Sequence, residues 1–247
     1  MLITSVDNKK IKKYVSLKSS KGRHENNLFL VEGMHLCEEA NKVNLLVDIL
    51  LLEGTNLTFN YSNEITYVSE NVLKKVSSLT NTSNVIGICK MMDNKEIFGN
   101  HILILDDVAD PGNIGTIIRS AKAFNVDTII LSENSVDIYN DKVFRSTQGM
   151  IFHMNIIYGD LELIIKDLIK RDYVILGTDV NNGEDVRNIT LSKYALVMGN
   201  EGHGVSEKVR NLCNKNLYIK MNGDCESLNV AVATSILLYE LNRSNHD

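Results

Sequence analysis

The chain has little of what marks a membrane, secreted or metal-binding protein. In 247 residues no apolar run approaches the roughly 20 that a membrane-spanning helix needs, so a soluble protein is expected. The N-terminus, MLITSVDNKKIKKY, has too short an apolar stretch before its lysines for a secretory signal, which makes a cytoplasmic location the expectation. Four cysteines, Cys37, Cys89, Cys213 and Cys225, are scattered without a CxxC pair and point to neither a zinc site nor a disulfide framework. The six histidines have no ligand spacing, and no metal is expected. Positive charge is also short. With 26 Lys and Arg against 31 Asp and Glu the net charge is −5, which argues against a protein that coats nucleic acid by bulk electrostatics. Proline occurs once, at position 111.

What positive charge there is gathers at one end. Lys9, Lys10, Lys12, Lys13, Lys18, Lys21 and Arg23 face only Asp7 and Glu25 over residues 1–25. Ile11, Tyr14, Val15 and Leu17 fall near helical spacing among them, which predicts a basic amphipathic helix over 8–17. A charge run of this kind is ordinarily a solvated face and identifies no partner by itself.

Two α/β regions are predicted. In the first, strands at 28–31, 48–52, 65–68 and 85–89 alternate with helices at 34–41 and 70–77. The stretch 92–100, MDNKEIFGN, lacks a period and reads as a linker, giving domains at 1–92 and 101–247. In the second, nearly continuous apolar strands at 101–105, 128–131, 151–157, 173–177, 195–198 and 217–219 suit a parallel sheet covered on both faces. Helices at 114–124, 161–171, 206–214 and 228–243 fit between them, as in a doubly wound α/β fold.

Three turns in the second region stand out. The first runs Asp110-Pro111-Gly112-Asn113 into an apolar helix carrying Arg119. A tight turn with Asn113 as helix cap accounts for the proline and the glycine, but not for a charge on that helix, which either snorkels to water or serves a function. The second is Gly199-Asn200-Glu201-Gly202-His203-Gly204, ahead of a helix capped by Ser206. Its glycines let backbone N–H groups approach a ligand closely, although the order is not the dinucleotide fingerprint. Glu201 there is either a solvated loop acid or a group that orients an arginine or accepts a hydroxyl proton. The third, from Ile219 through Met221 to Ala233, holds Ser227, readable as an N-cap, and Asn229, just inside the expected helix, where asparagine is disfavoured.

Taken in order, D-P-G-N-I-G…R, G-N-E-G-H-G and I-K-M-N-G…S-L-N-V-A-V-A resemble the SPOUT superfamily of RNA methyltransferases, in its SpoU/TrmH branch of ribose 2′-O-methyltransferases. The likeness spans about residues 101 to 243, and the stretch from Asp137 to Gly149, with Arg145, is similar to the family as well. The basic N-terminal helix and the segment from Leu28 to His35 are similar to the substrate-binding domain of rRNA-modifying members, which favours rRNA, 23S rRNA above all, over tRNA. The resemblance implies a C-terminal trefoil knot, a homodimer that completes the active site, and S-adenosyl-L-methionine as cofactor, none of which periodicity could indicate. Carried over by position, Gly199, Ile219 and Leu228, with Met198 and Met221 beside them, would hold the cofactor. Asn113, Arg119, Glu201, Ser227 and Asn229 would form the catalytic cluster, while Arg145, Lys9, Lys12, Lys13 and Arg23 would bind RNA. Lys220 stands where the family usually has proline, which bears on loop rigidity.

In this family the first-motif arginine is commonly proposed as the activating base. A guanidinium stays protonated at a pKa above about 12, so Arg119 is better placed as a cation that stabilises the developing alkoxide. The proton then leaves to a phosphate, water or Glu201. A Rossmann-type enzyme would want its glycine loop after the first strand, and a non-catalytic RNA-binding protein would be expected to lose Arg119, Glu201 or Asn229; all three are present.

Overall fold

The computed structural model describes residues 2–93, 96–179, 183–224 and 226–243. Cys225, and Asn94 and Lys95 of the expected linker, lie outside them. Along the chain run β1 (Leu2–Ile3), α1 (Lys9–Ser16), α2 (Ser20–Asn26), β2 (Leu28–Glu32), α3 (Met34–Lys42), β3 (Leu46–Leu52), β4 (Thr66–Val68), α4 (Glu70–Val76) and β5 (Val85–Lys90). There follow β6 (His101–Leu105), α5 (Pro111–Ala123), β7 (Thr128–Leu131), α6 (Asp141–Thr147), β8 (Asn155–Tyr158), α7 (Leu161–Lys170) and β9 (Val174–Thr178). The last are β10 (Glu184–Asp185), β11 (Tyr194–Met198), α8 (Glu207–Arg210), β12 (Lys215–Tyr218) and α9 (Val230–Leu241). These elements form two compact units, Met1–Asp93 with Tyr139–Phe152, and Asn94–Ile138 with His153–Asp247.

The first unit holds a mixed sheet in the order β1-β4-β3-β5-β2, in which β5 runs antiparallel to both β3 and β2. Helix α1 turns Ile11 and Tyr14 inward, where with Leu50, Val72 and Ile86 they form one apolar core. Lys9, Lys12 and Lys13 are left outward, as an amphipathic helix requires. The segment 139–152 returns to this unit: Phe29 of β2 stacks on Phe144 of α6 at a centroid distance of 4.8 Å, with Tyr139 at 5.0 Å and Phe152 at 6.5 Å. This aromatic packing explains a departure from expectation at 151–157. The sequence there reads as one strand, but Met150–His153 curls into a 3-10 turn that buries Ile151 and Phe152, and the strand begins only at Asn155. Helix α2 was not anticipated, because its inward face is Gly22 and Arg23 and offers no apolar period.

The second unit holds a sheet in the order β10-β12-β9-β11-β6-β7-β8, with every pairing parallel. Its inner strands, such as HILIL and YALVM, are buried along almost their whole length, as helices on both faces demand. Residues 96–100 are not a free linker. Phe98 exchanges hydrogen bonds with the Thr128 hydroxyl, and the N–H groups of Asn100 and His101 both donate to Asp127 Oδ2. The helix expected over 206–214 is only the single turn α8; Ser206 is its N-cap residue but makes no side-chain capping bond.

Two helix starts also differ from the reading above. Asp110 caps α5, its Oδ1 accepting from Asn113 N at 2.9 Å, and Pro111 occupies the first turn, where its missing N–H costs nothing. Asn113 is therefore a residue of the first turn with its side chain free for other work. At α9 the cap is Asn229, whose Oδ1 accepts from Ala231 N at 2.9 Å and Val232 N at 3.3 Å. Ser227 lies in the loop before it.

Candidate active site

In a parallel sheet the carboxyl ends of the strands open onto one edge, and ligands bind in the crevice there. In the second unit a cavity of about 640 Å³ lies at the carboxyl ends of β9, β11 and β12, which contribute Thr178, Met198 and Tyr218 to its lining. Gly199, Ile219, Leu228 and Met221 line it as well, with Ala233 and Leu237 of α9 behind them. Glu201, Ser227 and Asn229 line it on the polar side.

The glycine turn is a closed and rigid wall. Asn200 and Gly204 exchange backbone hydrogen bonds at 3.0 and 2.9 Å, and Asn200 Oδ1 accepts from Gly202 N at 2.8 Å. Asn200 Nδ2 also donates to Asp107 O at 2.8 Å, and Ser206 N donates to the buried Asp106 Oδ2 at 2.7 Å, so the turn is pinned to the end of β6. The close approach leaves no room at its root: a Cβ on Gly199 would stand 2.1 Å from both Gly204 C and Val205 N. Any side chain there would force the turn out of shape. Asp106 carries no motif signal of its own, since its value lies in a tertiary contact across a hundred residues of chain.

A directed chain of hydrogen bonds joins the three sequence motifs. Because Asn229 Oδ1 accepts the cap bonds, its Nδ2 faces outward and donates to Asn113 Oδ1 at 3.0 Å. That fixes the Asn113 amide, whose Nδ2 then donates to Glu201 Oε1 at 2.8 Å. Every link runs from donor to acceptor and ends on Glu201, which enters as an acceptor.

Arg119 is not part of this network. It lies about 9 Å further along α5 than Asn113 and roughly a third of a turn around it, on a helix rising about 1.5 Å per residue. It is exposed, does not line the cavity, and makes no hydrogen bond or ion pair among the described residues. The residues expected to bind RNA all belong to the first unit. Lys9, Lys12 and Lys13 are exposed on α1, Lys12 pairing with Asp7 at 2.8 Å. Arg145 is half exposed and ion-paired to Asp141 one turn earlier on α6. Arg23 is the exception: it is buried, and its Nη1 donates to Leu17 O and Lys18 O at 3.2 Å each. It closes the carboxyl end of α1 and is not a surface cation.

The sequence reading missed Thr178, Asp179, Arg210, Leu217 and Leu237 of the cavity wall, which come from strand ends and helices without a motif. Among the described residues no group of three or more His, Cys, Asp and Glu could hold a metal ion. Cys213 is half-buried, which pushes its thiol up to about 11.

Known proteins agree with this architecture. The SpoU rRNA Methylase family matches residues 100–239, and the MRM3-like substrate binding domain matches residues 8–87. The 23S rRNA (guanosine(2553)-2′-O)-methyltransferase RlmP of Bacillus subtilis is 35% identical over 243 residues, 97% of this chain and 98% of that protein. A solved RNA 2′-O ribose methyltransferase superposes with a TM-score of 0.84 at 26% identity, covering 100% of both chains. The AdoMet-bound rRNA methyltransferase of Sinorhizobium meliloti superposes with a TM-score of 0.79 at 26% identity, over 99% of this chain and 98% of that one. With the three motifs joined by one hydrogen-bond chain beside the cavity and matches of this extent, the chain belongs to the SpoU rRNA methylase family.

Proposed function

We propose that the chain transfers a methyl group from S-adenosyl-L-methionine to a ribose 2′-hydroxyl of 23S rRNA, at the guanosine that its Bacillus subtilis relative is named for. The observation that carries this reading is the cavity at the carboxyl edge of the sheet, closed on one side by the Asn229–Asn113–Glu201 chain. Its volume of about 640 Å³ falls in the range of small-molecule sites, and its apolar wall suits an adenosine. Gly199, Ile219 and Leu228, flanked by Met198 and Met221, would hold the cofactor; the missing Cβ at 199 lets the turn close on Gly204 and Val205 and so keeps the wall in shape. When bound, the cofactor supplies an electrophilic methyl on a sulfonium that becomes neutral on transfer.

The protein's part is alignment and charge. Asn113 ties the glycine turn to the start of α9, so two walls of the cavity keep one spacing. Glu201 keeps an oxygen beyond the one that Asn113 occupies, where it can accept from the ribose hydroxyl. Arg119 supplies the positive charge that eases formation of the alkoxide. Within one chain it stands away from the cavity, which leads to the next element of the proposal: the protein is a homodimer, and Arg119 acts at the site of the second copy.

Helix α9 supports that element. It carries a single charge, Glu240, in VAVATSILLYEL, yet leaves Val232 47% and Tyr239 55% exposed beside α5. A helix apolar on nearly every side is ordinarily covered. We further propose that the chain after β9, β11 and β12 forms a trefoil knot, in line with α9 packing against both α5 and the turn Val186–Asn188. The first unit binds RNA through Lys9, Lys12, Lys13 and Arg145, and the protein works in the cytoplasm without a metal. No helix among the described residues is long and apolar enough to cross a membrane.

Mapping of blocked 2′-hydroxyls in total RNA from cells with and without the gene tests the whole reading. Loss of one 23S rRNA methylation is expected; loss confined to tRNA would redirect it. Arg119→Lys tests the chemistry, with turnover expected to fall about 10²-fold at unchanged cofactor affinity. Near-normal turnover would remove the guanidinium from the mechanism. A solution mass showing only monomer at micromolar concentration would sink the dimer.

A further inference from the structure

Among the described residues, the cavity wall carries one permanent cation beside its acids. Asp179, Glu201 and Glu226 line it, and against them, among the described residues, stands only Arg210, at the end of α8. Arg210 is not placed by any of the three motifs, and in the sequence it is indistinguishable from Lys208 two residues before it.

Its guanidinium is held but not used up. Nη2 donates to Val205 O at 3.0 Å, which turns the side chain back towards the glycine turn instead of out along α8. That single bond leaves most of the five N–H donors of a guanidinium without a partner among the described residues. The apolar residues Leu217, Ile219, Ala233 and Leu237 offer no polar side chain to a charged end of a ligand, whereas Arg210 stands beside Val205, which lines the cavity as well.

We propose that Arg210 binds the α-carboxylate of the methionyl part of S-adenosyl-L-methionine. The proposal rests on the cofactor reading above and adds the residue that recognises the amino-acid end. A carboxylate entering this cavity meets three acidic side chains, a repulsion that a guanidinium in the same wall offsets. A guanidinium already oriented by a backbone carbonyl loses less freedom on binding than a free lysine would, and its planar fork matches a carboxylate. The adenosine end needs none of this and rests on the apolar wall. Arg210 thus makes affinity depend on the presence of the amino-acid group.

The test compares three ligands by calorimetry on the full chain: S-adenosyl-L-methionine, S-adenosyl-L-homocysteine and 5′-methylthioadenosine, which lacks the amino-acid group. Arg210→Ala is expected to weaken the first two roughly tenfold and 5′-methylthioadenosine less than twofold. Arg210→Lys should fall between, keeping the charge and losing the fork. Equal weakening of all three ligands would mean that Arg210 only shapes the turn through Val205, and would overturn the proposal, as would unchanged binding of all three. If the unaltered chain binds none of the three, the cofactor reading fails and takes this one with it.

Discussion

Asp48 in the first unit and Glu201 in the second are both carboxylates to which other elements of the fold donate, and they differ in what is left over. Asp48 is 8% exposed; the Tyr14 hydroxyl, Lys10 Nζ at 2.6 Å, the Thr66 hydroxyl at 3.2 Å and Ile49 N at 2.9 Å all converge on it. Burial and the acceptor Asp48 push the Tyr14 phenol well above its ordinary value. Glu201 is exposed and is met by Asn113, with the cavity beside it. A carboxylate whose lone pairs are all taken fixes a helix to a sheet; one with capacity in reserve can serve a ligand. The first unit thus spends its buried polar groups on holding α1 in place, while the second keeps polar capacity at its sheet edge.

The largest effect expected from this contrast is at Gly199. Its replacement by alanine puts a Cβ 2.1 Å from the backbone of Gly204 and Val205, so the turn must open. Cofactor affinity should fall roughly a hundredfold, while the thermal transition of the first unit stays in place. Titration of the cofactor alongside a melting curve reads both. A shift of the whole melt would show the two units to be one cooperative block. Next in size is Asp48→Ala, which strands the Tyr14 hydroxyl and should cost the first unit about 2 kcal/mol. Urea unfolding should show it as a lower midpoint, with cofactor binding unchanged. Equal loss of cofactor binding would break the contrast.

Much of the second unit could be read from residues because its signals are local. Asp110-Pro111-Gly112-Asn113 marks a strand-to-helix turn whatever surrounds it, and only the choice of cap went astray, from Asp110 to Asn113. Asn229 looked out of place inside a helix because it is not inside one; it is the cap. What could not be read depended on distance. Arg23 looks like one more basic residue of a basic terminus, and nothing local says that it turns inward onto Leu17 O and Lys18 O. The apolar run at 151–157 has strand composition, yet Phe152 is claimed by Phe29 and Phe144, far earlier and slightly earlier in the chain. Arg119 could be singled out as unusual, but not placed away from the cavity of its own chain.

A smaller effect separates the units by salt. Replacing Lys9, Lys12 and Lys13 together by glutamine removes charge only from the exposed side of α1, so Ile11 and Tyr14 keep their packing. If these lysines meet phosphates, the slope of log affinity for RNA against log salt should fall by about 2, at unchanged cofactor affinity. An unaltered slope would move the RNA surface elsewhere on the first unit.

The effect that is smallest at neutral pH is alkaline. Burial pushes the Cys37 thiol up to about 12 and the Cys89 thiol well above its ordinary value, and both lie in the first unit. In the unfolded chain these thiols release their protons near pH 9, while the folded chain still holds them. Above pH 9 the unfolded state therefore binds fewer protons, and stability falls as pH rises from 9 towards 12. Each thiol contributes up to about 1.4 kcal/mol per pH unit in that window and nothing below it. Cys213 of the second unit, at about 11, has a narrower window, so the first unit should lose stability over the wider range. Urea midpoints at pH 8, 9 and 10 for the unaltered chain and for Cys37→Ala with Cys89→Ala read the difference. The double variant is expected to start lower, having lost packing, and to decline less steeply; parallel slopes would mean that the buried thiols do not govern the alkaline side of the first unit.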